Sequence, residues 1–164
     1  AWSEERIPIL PGDLDPDHWL LNCENGTVDL RTGEIRSHQR GDMITRLAPV
    51  EFDMDAPRPL WEDTIDRIFA GSTALIEFVR RIFGIALTGI VTEQMLPIFY
   101  GTGANGKSTI LTALLEILGS DYAIVAPQGL LVVKYGGEGH PTERACLFGK
   151  RLVVDLESAE GARL

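Results

Sequence analysis

Lysine is nearly missing from this chain. It occurs only at positions 107, 134 and 150, and the remaining cations are arginines scattered along the length. Acidic residues outnumber basic ones 24 to 15, giving a formal net charge of −9. A domain that grips duplex DNA by itself shows a basic stripe, because affinity comes largely from neutralising phosphates. None is visible here, so any DNA contact is local or made by parts outside this chain. Cysteine is equally sparse: Cys23 and Cys146 stand alone and match no metal or disulfide spacing. No apolar run approaches the roughly 18 residues of a membrane span, and the opening Ala1-Trp2-Ser3-Glu4-Glu5-Arg6 lacks the layout of a signal peptide. These absences point to a reducing, cytoplasmic setting with no membrane partner. Met is also missing at position 1, and residues 160–164 read as the middle of a segment. A fragment of a longer protein is therefore expected.

What is present suffices for one core, since 45% of the 164 residues are hydrophobic. Residues 1–57 read as β-rich. Leu20-Leu21-Asn22-Cys23 leads into Asn25-Gly26, a hairpin signal whose two turn positions take positive φ. Thr27-Val28-Asp29-Leu30 then alternates, and a second turn at Thr32-Gly33 precedes Glu34-Ile35-Arg36. The spacing predicts a three-stranded meander, with a further strand at 43–47. Two prolines within 53–59 mark a boundary, and a helical hairpin is expected over 58–90. Pro59 suits a first helical turn, with Trp61, Ile65, Ile68 and Phe69 on one face before Gly71. Ser72 is placed to cap the next helix, whose stripe is Leu75, Ile76, Val79, Ile82, Phe83, Ala86 and Leu87, ending at Gly89.

From position 91 the pattern becomes strand, loop, helix, strand, as in an α/β fold with a mainly parallel sheet. A strand is expected at 96–100, with Pro97 at its start and Ile98-Phe99-Tyr100 buried. A helix is expected at 107–118, and strands at 121–126 and 151–156. Between the first strand and the helix lies Gly101-Thr102-Gly103-Ala104-Asn105-Gly106-Lys107-Ser108, followed by Thr109. It matches G-x-x-x-x-G-K-[ST] in full. By chance the four fixed positions would coincide in well under roughly one in a hundred chains of this length. Glycines let several N–H groups turn toward phosphate oxygens at a helix N-terminus. Lys107 neutralises the β- and γ-phosphates, and the Ser108 hydroxyl ligates Mg²⁺. The expected ligands are ATP and Mg²⁺.

Hydrolysis also needs a carboxylate near the end of a neighbouring strand to hold the metal and orient water. Arg151-Leu152-Val153-Val154-Asp155-Leu156-Glu157 offers two, and alternation puts Asp155 and Glu157 on one face. The other reading is that both are strand-end acids pairing with surface cations. Weaker signals are the glycine-rich stretch 134–141, read as a solvated loop, and His18, His38 and His140, which have no partners at metal spacing. Trp2, Trp19 and Trp61 read as packing residues before base-stacking ones. Arg144, Arg151 and Arg163 are candidates for action across a subunit interface, and nothing in the sequence singles one out.

With Asn105 inside it, Gly103-Ala104-Asn105-Gly106-Lys107-Ser108 resembles the first motif of superfamily 3 helicases. The nearest likeness is to phage and plasmid primase–helicases and their poxvirus relatives. The stretch from Leu21 to Glu34 and Leu147-Phe148-Gly149-Lys150-Arg151-Leu152-Val153-Val154 carry the resemblance further. It implies a P-loop NTPase (AAA+-like) core over 91–164, incomplete at its C-terminus and preceded by a small β-rich and helical domain. It further implies a homo-hexamer that unwinds DNA during replication in a bacterial or phage-infected cell. Lys107, Ser108 and Asn105 carry over to the first motif and Glu157 to the second, where the family often has two adjacent acids instead of Asp155-Leu156-Glu157. A polar sensor, a DNA-contacting hairpin and an arginine finger would lie beyond Leu164, so the chain is expected to bind nucleotide and hydrolyse it poorly. Two rival readings stand beside this one: a P-loop phosphotransferase acting on a small molecule, and a non-catalytic nucleotide-binding docking module.

Overall fold

The structure, a computed structural model, describes residues 9–101, 105–127, 130 and 145–156. It is a mixed α/β arrangement with two small sheets. Strands β1 (Leu20–Cys23), β2 (Gly26–Asp29) and β3 (Glu34–Arg36) form the expected antiparallel meander. Leu21 pairs with Val28 and Asn22 with Thr27. Alternation therefore sends Leu21, Cys23 and Val28 into the core. On the opposite face the Thr27 hydroxyl donates to Asn22 Oδ1 at 2.6 Å.

The first turn differs from its expected form. Cys23 pairs with Gly26, so Glu24 and Asn25 are the connecting residues, and neither takes positive φ. Asn25 uses its side chain instead. Its Oδ1 accepts from the Phe52 N–H and its Nδ2 donates to the Phe52 carbonyl, both at 2.9 Å. Gly26 is required by crowding, since a Cβ there would lie 2.5 Å from the Arg36 carbonyl oxygen.

No strand forms at 43–47; there is a single parallel bridge between Cys23 and Ala48. The reason is competition for donors. Met43 adopts a left-handed φ of 55°. The Thr45 N–H goes to Asp15 Oδ1 at 2.8 Å and the Leu47 N–H to Asp121 Oδ2 at 3.0 Å, while Pro49 has no N–H to offer.

Helices α1 (Pro59–Ile68) and α2 (Thr73–Thr88) match the predicted hairpin. Pro59 opens α1, and Gly89, with φ 67°, ends α2. Ser72 occupies the N-cap position of α2, yet its side chain makes no capping bond. The predicted stripe is shallow: Val79 is buried, while Leu75 remains 44% exposed. Helix α3 (Lys107–Tyr122) leaves helical geometry at Gly119 (φ 61°, ψ 176°), which accounts for the predicted end at 118. A Cβ on Gly119 would sit 2.5 Å from Pro49 Cδ.

After the Gly119 break the chain runs into β4 (Ala123–Val125), which pairs in parallel with β5 (Leu152–Val154). Both strands are shorter than expected. Residues 96–100 form no strand: Leu96, Ile98 and Tyr100 are 62%, 64% and 91% exposed. A strand needs a ladder partner, and among the described residues the second sheet stops at β4 and β5. Phe99 instead stacks on Phe83, with ring centroids 6.2 Å apart.

One core joins the meander to α3 and β4. Leu21, Cys23, Val28 and Ala48 pack with Leu118, Tyr122 and Ala123. Tyr122 is completely buried. Its hydroxyl accepts from the Asn22 N–H at 3.2 Å and donates to the Arg46 carbonyl at 3.3 Å. Replacing Tyr122 with Phe keeps the ring and strands both partners, so Tyr122→Phe is expected to cost about 1–3 kcal/mol in urea unfolding. A loss below the error of the fit would show that water replaces the hydroxyl.

A second expectation concerns acid. The Arg36 guanidinium is 2.7 Å from the well-covered Asp42 carboxylate and holds its pKa below the ordinary aspartate value. A depressed folded pKa contributes stability above the unfolded pKa, and that stability is lost as pH falls through the folded one. Asp42→Asn should therefore lower stability at neutral pH and flatten the acid limb of a thermal-midpoint profile. An unchanged acid limb would assign the acid sensitivity to other carboxylates.

Candidate functional site

The described part of the phosphate-loop motif is Gly101 and Asn105 to Thr109; Thr102, Gly103 and Ala104 lie outside the described residues. Gly106 is the N-cap of α3 with a left-handed φ of 79°, a conformation glycine adopts without cost. A Cβ on it would also collide with the Ile68 side chain at the end of α1. Gly106 has no side chain to cap α3, and among the described residues no side chain accepts from its first N–H groups, which lie at the positive end of the helix dipole. Ser108 and Thr109 are exposed on that first turn.

Lys107 folds back over the loop. Its Nζ donates to Asn105 Oδ1 at 2.7 Å and to the Gly101 carbonyl at 3.2 Å. Among the described residues it pairs with no carboxylate; both acceptors are neutral oxygens. That arrangement suits an anion, because the ammonium charge is oriented and not cancelled.

Lys107, Ser108 and Asp155 line one cleft of about 450 Å³, together with the end of α2, residues 89–99 and β5. The parallel pairing of β4 with β5 brings this about. It registers Val125 with Val154, so the chain leaves β5 at Asp155 on the wall of the cleft that Lys107 and Ser108 also line. The volume is within the usual range for small-molecule sites, and most of the wall is apolar. Glu157 lies outside the described residues.

Among the described residues no three or more His, Cys, Asp or Glu side chains converge to hold a metal. Mg²⁺ does not require such a cage, because it keeps several waters and is held by one or two protein ligands plus substrate phosphates. Ser108 and Asp155 on the same cleft are the candidates for such protein ligands. No described helix is long and apolar enough to cross a membrane.

Other candidates from the sequence fall elsewhere. Arg151 faces inward: its guanidinium donates to the carbonyls of Leu87 at 2.6 Å and Leu20 at 2.8 Å, and lies 4.6 Å from the Tyr122 ring centroid. Within this chain it is a packing residue. The sequence held one clue to this, its position immediately before an apolar strand, which places its backbone in the sheet. Arg144, Arg163, Trp2, His140 and the stretch 134–141 lie outside the described residues. Trp19 carries the Arg31 guanidinium on its face at 5.3 Å, and His38 Nδ1 lies 3.4 Å from both Thr27 Oγ1 and Asn22 Oδ1.

Comparison with known proteins gives two matches of different extent. Residues 2–70 match the family model described as "D5 N terminal like". Over 119 residues the chain is 28% identical to a protein of Acanthamoeba polyphaga mimivirus described as a "putative helicase". That match takes in 67% of this chain and 12% of the viral protein, so the chain spans about an eighth of its relative's length. The meander and α1 thus fall within the segment similar to the N-terminal region of D5 proteins, and the longer match is to a protein described as a helicase.

Proposed function

We propose that this chain contributes the nucleotide-binding part of an ATP-dependent DNA helicase of the superfamily 3 type. In this reading 1–57 and 58–90 form the domain that precedes the motor, and 91–164 the first half of a P-loop ATPase core. The observation that carries it is the meeting of Lys107, Ser108 and Asp155 on one cleft at the uncapped start of α3. The α3 N–H groups and Lys107 would hold the β- and γ-phosphates of ATP, and Gly106 lets the backbone come close. Ser108 and Glu157 would hold Mg²⁺, with Asp155 beside them. When bound, the metal ion supplies charge neutralisation at the phosphates. The chain's own residues bind, orient and keep an acid near the phosphate chain. DNA would be engaged mainly by regions outside this chain, within a homo-hexamer, in keeping with a net charge of −9.

The test is direct. A fluorescent ATP analogue with Mg²⁺ should bind this chain, and Lys107→Ala should weaken binding by at least about tenfold, the value of one charge-assisted contact. Binding that Lys107→Ala leaves untouched would sink the nucleotide reading. Hydrolysis by this chain alone should stay slow. In a longer chain, single-stranded DNA should stimulate it, and Glu157→Gln should abolish the stimulation. Turnover indifferent to DNA and dependent on a small-molecule acceptor would favour a phosphotransferase.

A further inference from the structure

Among the described residues of the loop, Asn105 has a side chain with a definite partner, Lys107. A lysine ammonium can only donate, so the carboxamide must present Oδ1 to it, and does so at 2.7 Å. The second acceptor is the Gly101 carbonyl at 3.2 Å. Gly101 makes the approach possible: a Cβ there would collide with Asn105 Nδ2 and lie 3.5 Å from Asn105 Cγ. Gly101, Asn105 and Lys107 therefore form a three-residue clasp across the mouth of the loop. Among the described residues the clasp uses two of the three ammonium donors.

We infer that Asn105 is a positioning residue. It holds the Lys107 ammonium in place before nucleotide arrives and yields it to a phosphate oxygen on binding. The inference rests on the nucleotide reading above and adds the handover. Two physical effects set its direction. A free lysine side chain loses considerable rotamer freedom when a ligand immobilises it, and a lysine already held has lost much of that freedom in advance. The bond to Asn105 is ion to neutral amide, whereas the bond replacing it is ion to ion and stronger. A neutral carboxamide is thus strong enough to order the lysine and weak enough to release it. A carboxylate of the same shape would order it equally well but would not release it, and would repel phosphate.

With only three lysines in the chain, side-chain ¹⁵Nζ spectra contain at most three ammonium signals, and Lys107→Arg identifies one of them. Without nucleotide, the Lys107 signal should persist against solvent exchange. Asn105→Ala should abolish that protection and weaken binding of the fluorescent ATP analogue by about five- to tenfold. Asn105→Asp should keep the protection and weaken binding further. Thermal midpoints for both variants show whether the fold is intact.

A Lys107 signal unaltered by Asn105→Ala, alongside tight ATP binding by the wild type, overturns the clasp and leaves the nucleotide reading standing. A protected signal in a wild-type chain that binds no ATP overturns the handover and the nucleotide reading together, with the clasp surviving as structure alone. Asn105→Asp binding as tightly as the wild type overturns the role assigned to the neutral carboxamide.

Discussion

Arg151 carries the only guanidinium among the described residues that is turned into the interior against the faces of several elements at once. Its two carbonyl partners belong to the last turn of α2 and the first residue of β1, and its charge rests on the Tyr122 ring at the end of α3. Its own N–H bonds the Tyr122 carbonyl at 2.7 Å, which sets the start of β5 against α3. Removing a cation from water is costly, and burial pulls the pKa of this guanidinium down. Carbonyl dipoles and an aromatic face offset that cost, together with the charges of Asp15 and Asp17. The arrangement also explains Gly89. Its left-handed φ ends α2, and a Cβ there would press within 2.8 Å of Arg151 Cγ.

The candidate site depends on this hub at one remove. Arg151 holds β5 in register with β4, and β5 delivers Asp155 to the cleft that Lys107 and Ser108 reach from α3. Tyr122 ties the other end of α3 to the meander, and Gly119 lets Pro49 pack where the helix breaks. The segment matched to D5 proteins and the helix that follows the candidate phosphate loop thus share a core. A change in the meander would be felt along α3, because close-packed interiors transmit strain.

The loop itself is governed by local chemistry. Gly101 and Gly106 allow backbone and side-chain approaches that any Cβ would block, and the uncapped helix start leaves donors for an anion. The surrounding cleft is largely apolar, and Leu96, Ile98 and Tyr100 near it remain exposed. Those side chains have the composition of a buried strand and, among the described residues, lack the ladder partner that would make them one.

Local information was legible without coordinates. The meander, both helices of the hairpin, the break in α3 at Gly119 and the positions of β4 and β5 follow from alternation, helical periodicity and glycine breaks, all properties of neighbouring residues. The phosphate-loop motif is of the same kind, because its spacing is a backbone requirement. What the sequence could not reveal depends on partners distant along the chain. Carboxylates at Asp15 and Asp121 take the donors that a strand at 43–47 would have used. The carbonyls of Leu20 and Leu87 turn Arg151 inward, and the missing ladder leaves 96–100 unpaired. By itself the sequence determined the kind of site; only the tertiary structure decided that Lys107 is held by Asn105 and that Asp155 shares its cleft, because a hydrogen bond is made by the atom that arrives and not by the pattern that anticipates it.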